Sequence, residues 1–220
     1  MNQEILEARY TQPQEIVRKY DLIASIYDVF GILAESKARR RAIEMASIQN
    51  GEKVLEVAFG TGLNLVEILK RNPDGWVDGI DVSTKMTEKT KKRISKTGQK
   101  NYTLRLGDGR RLPFADETFD LLMNQYLLDI LPVDDFLPLL LEFKRVLKHG
   151  GRLVLVHMTK GEKWINLIYE KTYRMRPPLF AGCRGILAQT YFEKIGLEGF
   201  QREFVSQFGF PSEVVKGIKR

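Results

Sequence analysis

Between residues 54 and 157 short apolar stretches alternate with amphipathic ones, and that alternation leaves the chain few architectures. Val54-Leu55-Glu56-Val57 reads as a short buried strand that runs through a glycine-containing turn into an amphipathic segment, Leu63 to Lys70. Trp76 to Asp81 reads as a second strand, and Ser83 is placed to cap the helix after it. Tyr102 to Leu106 and Phe119 to Met123 are the third and fourth strands. A helix follows over Phe136 to Leu147, where apolar residues recur at helical spacing. His149-Gly150-Gly151 then turns the chain into a fifth strand, Arg152 to His157. Strands alternating with helices require parallel crossovers and a sheet covered on both faces. The predicted fold class is α/β, a doubly wound and mostly parallel sheet.

The flanks read differently. Pro13 to Ile48 has a helical pattern throughout, so residues 1–50 are expected to form a helical N-terminal cap on the core of residues 51–160. Trp164 to Met175 is again helical, broken by Arg176-Pro177-Pro178 and a glycine-flanked loop, and residues 161–186 are predicted to be a lid. Leu187 to Ile195 is helical and stops at Gly196. Phe200 to Gln207 and Glu213 to Lys219 follow as two strands joined by Gly209-Phe210-Pro211-Ser212, an antiparallel hairpin that closes the sheet. No repeat or inter-domain linker interrupts this order, which suggests one domain over residues 1–220.

Composition narrows the function classes. A length of 220 residues with 43% hydrophobic and 29% charged residues suits one folded domain. The longest apolar run, Phe136 to Leu141, falls far short of the ~20 residues a membrane span needs. The start lacks the basic-then-apolar pattern of a secretion signal, and the expected location is cytoplasmic. One cysteine, Cys183, excludes an internal disulfide framework and any multi-cysteine zinc site. No metal site is expected. The net charge of +7 is compatible with acidic partners, but its densest stretch, Lys85 to Lys100, is explained by the solvated outer face of a helix.

The segment Glu56-Val57-Ala58-Phe59-Gly60-Thr61-Gly62 sits where the first strand feeds the first helix, the place where open α/β sheets bind ligands. Glycines there admit a ligand close to the backbone, and the helix start offers free N–H groups. A dinucleotide is one reading, since Gly60-x-Gly62 is followed by Asp81 at about the 20-residue distance that reaches a ribose. Two features oppose it. The third glycine position holds Leu65, and Glu56 places a carboxylate where a pyrophosphate would sit. S-adenosylmethionine carries an ammonium and a sulfonium and no phosphate, so Glu56 would attract it. Asp81, ending the second strand, can accept both ribose hydroxyls. Asp108, in Gly107-Asp108-Gly109 after the third strand, can accept from an adenine amino group while the Gly109 N–H meets a ring nitrogen.

These residues resemble the class I S-adenosylmethionine-dependent methyltransferases, particularly their ubiquinone/menaquinone-biosynthesis-like (type 11) branch. The matching pieces are Val54 to Gly62, Gly79-Ile80-Asp81-Val82-Ser83-Thr84-Lys85-Met86, Gly107 to Phe114, Phe119-Asp120 and Arg145 to Gly151, in an order and spacing that run from about Val54 to Val156. The resemblance implies a seven-stranded Rossmann-like sheet with the last hairpin at one edge. It also implies S-adenosylmethionine contacts at Glu56, Gly60, Gly62, Asp81, Met86, Asp108, Gly109 and Asn124. Ala58, Val82, Gln125 and Tyr20 complete the expected cofactor set. Two positions depart from the branch: Ala58, where glycine is frequent, and His149, where proline usually precedes the two glycines.

Methyl transfer from a sulfonium is an in-line displacement with a good leaving group, so positioning can supply much of the rate and no triad is required. A base matters only where the acceptor must lose a proton. His157 ends the fifth strand and can titrate near neutral pH, or can simply hydrogen-bond locally. Tyr126 and Asp129 follow the fourth strand; either can shape the acceptor pocket, and Asp129 can equally cap the next helix. Tyr20-Asp21 and Tyr27-Asp28 repeat seven residues apart and resemble segments over the active site in this branch, although both tyrosines can equally pack the cap onto the sheet. The candidate catalytic residues are thus His157, Tyr126 and Tyr27.

Acceptor clues are mostly exclusions. Asn124-Gln125-Tyr126-Leu127 lacks the two prolines of enzymes that methylate amino groups of DNA bases, and Cys183 is too far downstream to serve as a cytosine nucleophile. A nucleic-acid partner is therefore not expected. The lid is aromatic and cationic together, with Trp164, Tyr169, Tyr173 and Phe180 beside Lys171, Arg174, Arg176 and Arg184. That mixture suits a small-molecule or lipid-like acceptor, of quinone-precursor or phospholipid type, and a peripheral membrane contact. The alternatives are a non-catalytic S-adenosylmethionine-binding protein and an NAD(P)-dependent oxidoreductase.

Overall fold

The structure, a computed structural model, describes residues 34–159, 184–186 and 188–220. Seven strands form one sheet: β1 (Lys53–Val57), β2 (Trp76–Asp81), β3 (Tyr102–Leu106), β4 (Phe119–Gln125), β5 (Leu147–Met158), β6 (Leu197–Gln207) and β7 (Phe210–Lys219). Their order across the sheet is β3-β2-β1-β4-β5-β7-β6. The pairs from β3 to β5 are parallel, and β7 runs antiparallel to both β5 and β6. This is the doubly wound sheet the sequence predicts, and the winding reverses between β1 and β4.

β1 and β4 carry almost continuous apolar runs because they are covered on both faces. Three helices, α1 (Ser36–Ala46), α2 (Leu63–Arg71) and α3 (Thr84–Ser95), touch one another in sequence along one face. Two others, α4 (Phe136–Val146) and α5 (Gln189–Lys194), pack together on the opposite side. α3 buries Met86, Thr87, Thr90 and Ile94 and turns Lys85, Lys91 and Lys92 to water, so its basic stretch is a solvated face. Among the described residues no helix is long and apolar enough to cross a membrane.

Two predicted boundaries are corrected. β5 starts at Leu147, before His149-Gly150-Gly151. Those residues form a bulge in the strand, with Gly150 at φ 76, and the register to β4 jumps from Phe119↔Leu147 to Leu121↔Arg152. The C-terminal hairpin is also tighter than predicted. Phe210 to Ser212 belong to β7, leaving Phe208 and Gly209 as a two-residue turn with φ 50 and φ 81. Positive φ at both positions matches the twist of the flanking strands. The predicted Trp164 to Met175 helix and most of the N-terminal cap lie outside the described residues.

Arg152 ties three segments together below the sheet. Its Nη2 donates to both carboxylate oxygens of Glu52 at 2.7 Å, and its Nε donates to the Ala46 carbonyl at the end of α1. With side-chain exposures of 18% and 12%, this pair is shielded enough to matter. Arg152→Leu should lower the free energy of unfolding by about 2 kcal/mol, read from urea denaturation, with part of the loss recovered by Arg152→Lys. An unchanged midpoint would mean the pair contributes nothing to holding α1.

A cleft at the carboxyl ends of the parallel strands

The loop after β1 is built from backbone that side chains disfavour. Ala58 (φ 55), Gly60 (φ 55) and Gly62 (φ 78) all lie in the left-handed region. The Ala58 N–H continues the ladder to the Ile80 carbonyl at 2.7 Å, while its φ turns the chain across the top of the sheet. A Cβ on Gly62 would stand 2.6 Å from Thr90 Cγ2, so glycine here allows the start of α2 to approach the middle of α3. Thr90 Oγ1 in turn donates to the Gly60 carbonyl at 2.8 Å.

Asp81, at the end of β2, locks this loop to the next one. Its Oδ2 accepts from the Gly60 N–H at 2.8 Å and its Oδ1 from the Ser83 N–H at 2.9 Å. Ser83 caps α3 as predicted, its hydroxyl oxygen accepting from the Met86 N–H at 3.1 Å.

Above these loops runs a cleft of three adjoining lobes, of about 460, 510 and 400 Å³, all sharing Ala58. The first lies between Asp81, Val82, Gly107, Asp108 and Gly109 on one side and Leu127, Leu131 and Leu139 on the other. The second is lined by Gly60, Asp81, Val82, Met86, Gln125, Tyr126 and Ile130. The third holds Glu35, Arg39, Glu56, Asn64, Gln125 and Tyr126.

The lobes differ in charge. Glu56 is 2% exposed; Oε1 accepts from Asn64 Nδ2 at 2.9 Å, whereas Oε2 has no hydrogen-bond partner. Burial pushes its pKa up to about 8, against the Asn64 hydrogen bond and reinforced by the charge of Asp81. In the first lobe Asp108 is gripped by Arg110, whose Nη2 lies 2.6 Å from Oδ2 and whose Nη1 also reaches Asp135 at 2.8 Å. Burial would raise the Asp108 pKa, but the Arg110 hydrogen bonds hold it below the usual value. Among the described residues no group of three or more His, Cys, Asp or Glu side chains is placed to hold a metal ion.

Ten of the residues singled out from the sequence therefore meet on one cleft wall: Glu56, Ala58, Gly60, Asp81, Val82, Met86, Asp108, Gly109, Gln125 and Tyr126. Others do not. Asn124 is buried in the sheet, its Nδ2 donating to the Val57 carbonyl at 2.8 Å, and Gly62 backs the loop rather than lining the cleft. Asp129 neither shapes the pocket nor caps a helix through its carboxylate. It is fully buried with Oδ2 accepting from the Met158 N–H at 2.7 Å. Tyr126 keeps a strained φ of 54, and its hydroxyl shares a 2.7 Å hydrogen bond with Ser212 Oγ. Tyr20, Tyr27, Cys183 and most of the predicted lid lie outside the described residues; Arg184 is buried, with Nη1 donating to the Asp129 carbonyl. The sequence reading missed Glu35, Arg39, Arg110 and the apolar wall of Leu127, Ile130, Leu131 and Leu139.

His157 requires a correction. It is the penultimate residue of β5, and its ring lies in the core, fully buried, and not on the cleft wall. Nδ1 is 3.1 Å from the Met158 carbonyl, and Nε2 is 3.1 Å from Oε2 of Glu213, which also pairs with Arg202. The antiparallel register sets His157 opposite Glu213. Burial would lower the His157 pKa, but the hydrogen bond and charge of Glu213, with the charge of Asp129, shift it upward overall. The Glu213 pKa is raised by burial and lowered further by His157 and Arg202, ending below its usual value.

The two shifts define a stability window. The raised His157 pKa adds stability that is complete below its usual 6.5 and is lost as pH rises through the folded value. The lowered Glu213 pKa adds stability that is complete above its usual 4.5 and is lost as pH falls through the folded value. In Glu213→Gln the His157 resonance, followed by NMR, should titrate below the usual value, because burial is then less opposed. A pKa that stays raised would rule out Glu213 as the cause.

Comparison with known proteins agrees with this geometry. A methyltransferase-domain family profile matches residues 54–151. A demethylmenaquinone methyltransferase of Tropheryma whipplei is 31% identical over 171 residues, covering 76% of this chain and 69% of that protein. A demethylmenaquinone methyltransferase of Thermotoga maritima is 37% identical over 144 residues, covering 65% of this chain; the match spans only 58% of that protein's length. Among solved structures, the [4+2]-cyclase SpnF superposes over 99% of both chains with a TM-score of 0.76 at 17% identity, a likeness of fold alone. With its sheet order, its glycine loop and its acids at three neighbouring strand ends, this chain belongs to the class I S-adenosylmethionine-dependent methyltransferases, in the branch of the demethylmenaquinone methyltransferases.

Proposed function

We propose that the cleft binds S-adenosylmethionine and that the chain transfers its methyl group to a small, lipid-like acceptor of reduced-quinone type. The observation that carries this reading is Glu56. A buried carboxylate with an unpartnered oxygen at one end of a cleft calls for a cation, and it repels the pyrophosphate of a dinucleotide. The other end is an apolar slot under the Gly107-Asp108-Gly109 turn, suited to a flat heterocycle.

The residues take roles along this length. Asp81, held in place by its bonds from the Gly60 and Ser83 N–H groups, is assigned to the ribose hydroxyls. Asp108 and the Gly109 N–H meet the adenine edge, with Val82 and Leu127 against its faces. Glu56, Ala58, Gly60, Met86 and Gln125 surround the rest. Asn124 and Gly62 hold the wall from behind. When bound, the cofactor supplies a methyl group on a positively charged sulfur with a neutral leaving group. The chain's own contribution is to orient the acceptor and exclude water. Tyr126 lines two lobes and is anchored through Ser212, so we assign it to positioning the acceptor. His157 stands behind it as a structural partner of Glu213. Tyr20 and Tyr27, in the expected cap of residues 1–50, are assigned to the cleft on the resemblance to this branch, and residues 161–186 are assigned to a lid on their aromatic and cationic composition.

The quinone-type acceptor is supported by the relatives named as demethylmenaquinone methyltransferases. A lipid-like acceptor would be met at a membrane surface, so peripheral binding belongs to the same reading.

Calorimetric titration should show S-adenosylhomocysteine binding to the wild type, at least tenfold weaker binding to Asp81→Ala (about 1.4 kcal/mol), and none of NADH. NADH binding alone would overturn the cofactor. Labelled methyl groups should then appear on demethylated hydroquinones presented in vesicles. Intact S-adenosylhomocysteine binding with no transfer to any hydroquinone would remove the acceptor half of the proposal, and failure to float with anionic vesicles would remove the membrane contact.

A further inference from the structure

Positive charge is unevenly spread over this chain. Between residues 82 and 111 ten Lys and Arg stand against two acids, Glu88 and Asp108, for a local charge of +8. The whole chain carries +7, so the other 190 residues together carry −1. The fold gathers this segment onto one border, made of α3, the turn after it and β3, the last strand on that side of the sheet. Lys85, Lys89, Lys92 and Lys96 recur at helical spacing and form one stripe, ~16 Å long, on the side of α3 away from the buried Thr87, Thr90 and Ile94. Lys100 before β3 and Arg111 after it are exposed as well. A helix face that needs only solvation mixes both signs, whereas Glu88 is the one acid on α3.

The same border carries exposed apolar side chains at its cleft end. Leu106 closes β3, opposite Asp81 in the register, and is 56% exposed. Val82 follows Asp81, lines two lobes of the cleft and is 41% exposed, so it marks the cleft mouth. Lys85 sits just after it, in the first turn of α3. Cations with apolar groups among them match a membrane surface, where anionic headgroups lie above the acyl boundary. A nucleic acid fits less well. Single strands are held by stacking bases on aromatic side chains, and the one aromatic residue of this segment, Tyr102, is half-buried.

Resting on the lipid-like acceptor proposed above, we infer that the border formed by α3 and β3 is a docking surface for an anionic lipid bilayer. Its lysine stripe meets the headgroups, and Leu106 enters the interface next to the cleft mouth at Val82. Docked in this way, the chain brings its cleft to the layer in which a lipid-tailed hydroquinone lies. The acceptor head then reaches the cleft without its tail crossing water.

The test is co-sedimentation of the full chain with vesicles of phosphatidylcholine alone or mixed with phosphatidylglycerol, at low and high salt. The wild type should bind only the anionic vesicles, and less at high salt. The triple variant Lys91→Gln, Lys92→Gln, Lys96→Gln should need at least about tenfold more lipid for half-saturation. Leu106→Ser should weaken binding without changing its salt dependence. Removing three exposed cations elsewhere, in Lys37→Gln, Arg40→Gln, Lys194→Gln, should leave binding as in the wild type. All variants should bind S-adenosylhomocysteine as the wild type does, which also reports that they fold. Unchanged vesicle binding by the α3 triple variant, or an equal loss in the control, would overturn this docking surface while the membrane contact stands. A wild type that binds S-adenosylhomocysteine but no vesicle would remove the inference and the membrane contact together, leaving the cofactor reading intact. Tighter retention on an RNA or DNA oligonucleotide than on vesicles, lost in the α3 triple variant, would reassign the border to nucleic acid and overturn the inference. Failure of the wild type to bind S-adenosylhomocysteine would instead sink the cofactor reading.

Discussion

The carboxylate of Asp81 holds the top of the sheet together. It spends one oxygen on the Gly60 N–H and the other on the Ser83 N–H, and so joins the loop after β1 to the loop after β2. Neither loop could keep its shape unaided. The first passes through left-handed backbone at Ala58, Gly60 and Gly62; the glycines accept it freely, but at Ala58 it is strained, and such strain persists only where surrounding contacts over-determine it. The Thr90 hydroxyl on the Gly60 carbonyl and the capping Ser83 complete the restraint. A ligand arriving at the cleft therefore finds donors and acceptors already aimed, and little ordering entropy remains to oppose binding.

The cleft is also a concentration of acids with their charge suppressed. Burial raises the pKa values of Glu35 and Glu56 together, and the nearby charge of Arg39 offsets this only in part. Desolvating carboxyl groups costs stability, so residues of this kind in a fold that could have placed leucine there point to binding rather than to packing. The first lobe behaves oppositely: Arg110 satisfies Asp108 within the protein, and the apolar wall opposite carries no charge. On the proposed reading, one end of the cleft takes a cation and the other a flat, neutral group.

The parallel part of the fold was legible because both signals were local. β2 and β3 begin and end where apolar runs and turn residues place them, and Ser83 caps α3 as its position suggests. The acids at three strand ends were legible because topology brings strand ends together without regard to sequence distance. What failed was orientation. His157 and Asn124 each lie one residue inside the end of a strand, but their side chains bond to Glu213 and the Val57 carbonyl and not into the cleft. Glu35 and Arg39 were invisible because a helical pattern does not say which face meets a cleft built by residues 20 positions later. Phe208 hid the hairpin turn, since a bulky residue at positive φ carries no turn signature.

The position of β7 has a bearing on how the molecule is made. In sequence β7 comes after β6, yet in the sheet it lies between β6 and β5, and β6 is held to the rest through it. While a ribosome has yet to release the residues beyond 210, β5 presents an unpaired edge and β6 has no strand to join. The cleft-forming half, from β1 to β4, has all its neighbours much earlier. Synthesis thus creates an interval in which the ligand-holding walls can assemble beside an open, aggregation-prone border. During that interval the glutamate of β7 that partners His157 is also missing, so the histidine of β5 waits in its place without its counter-charge.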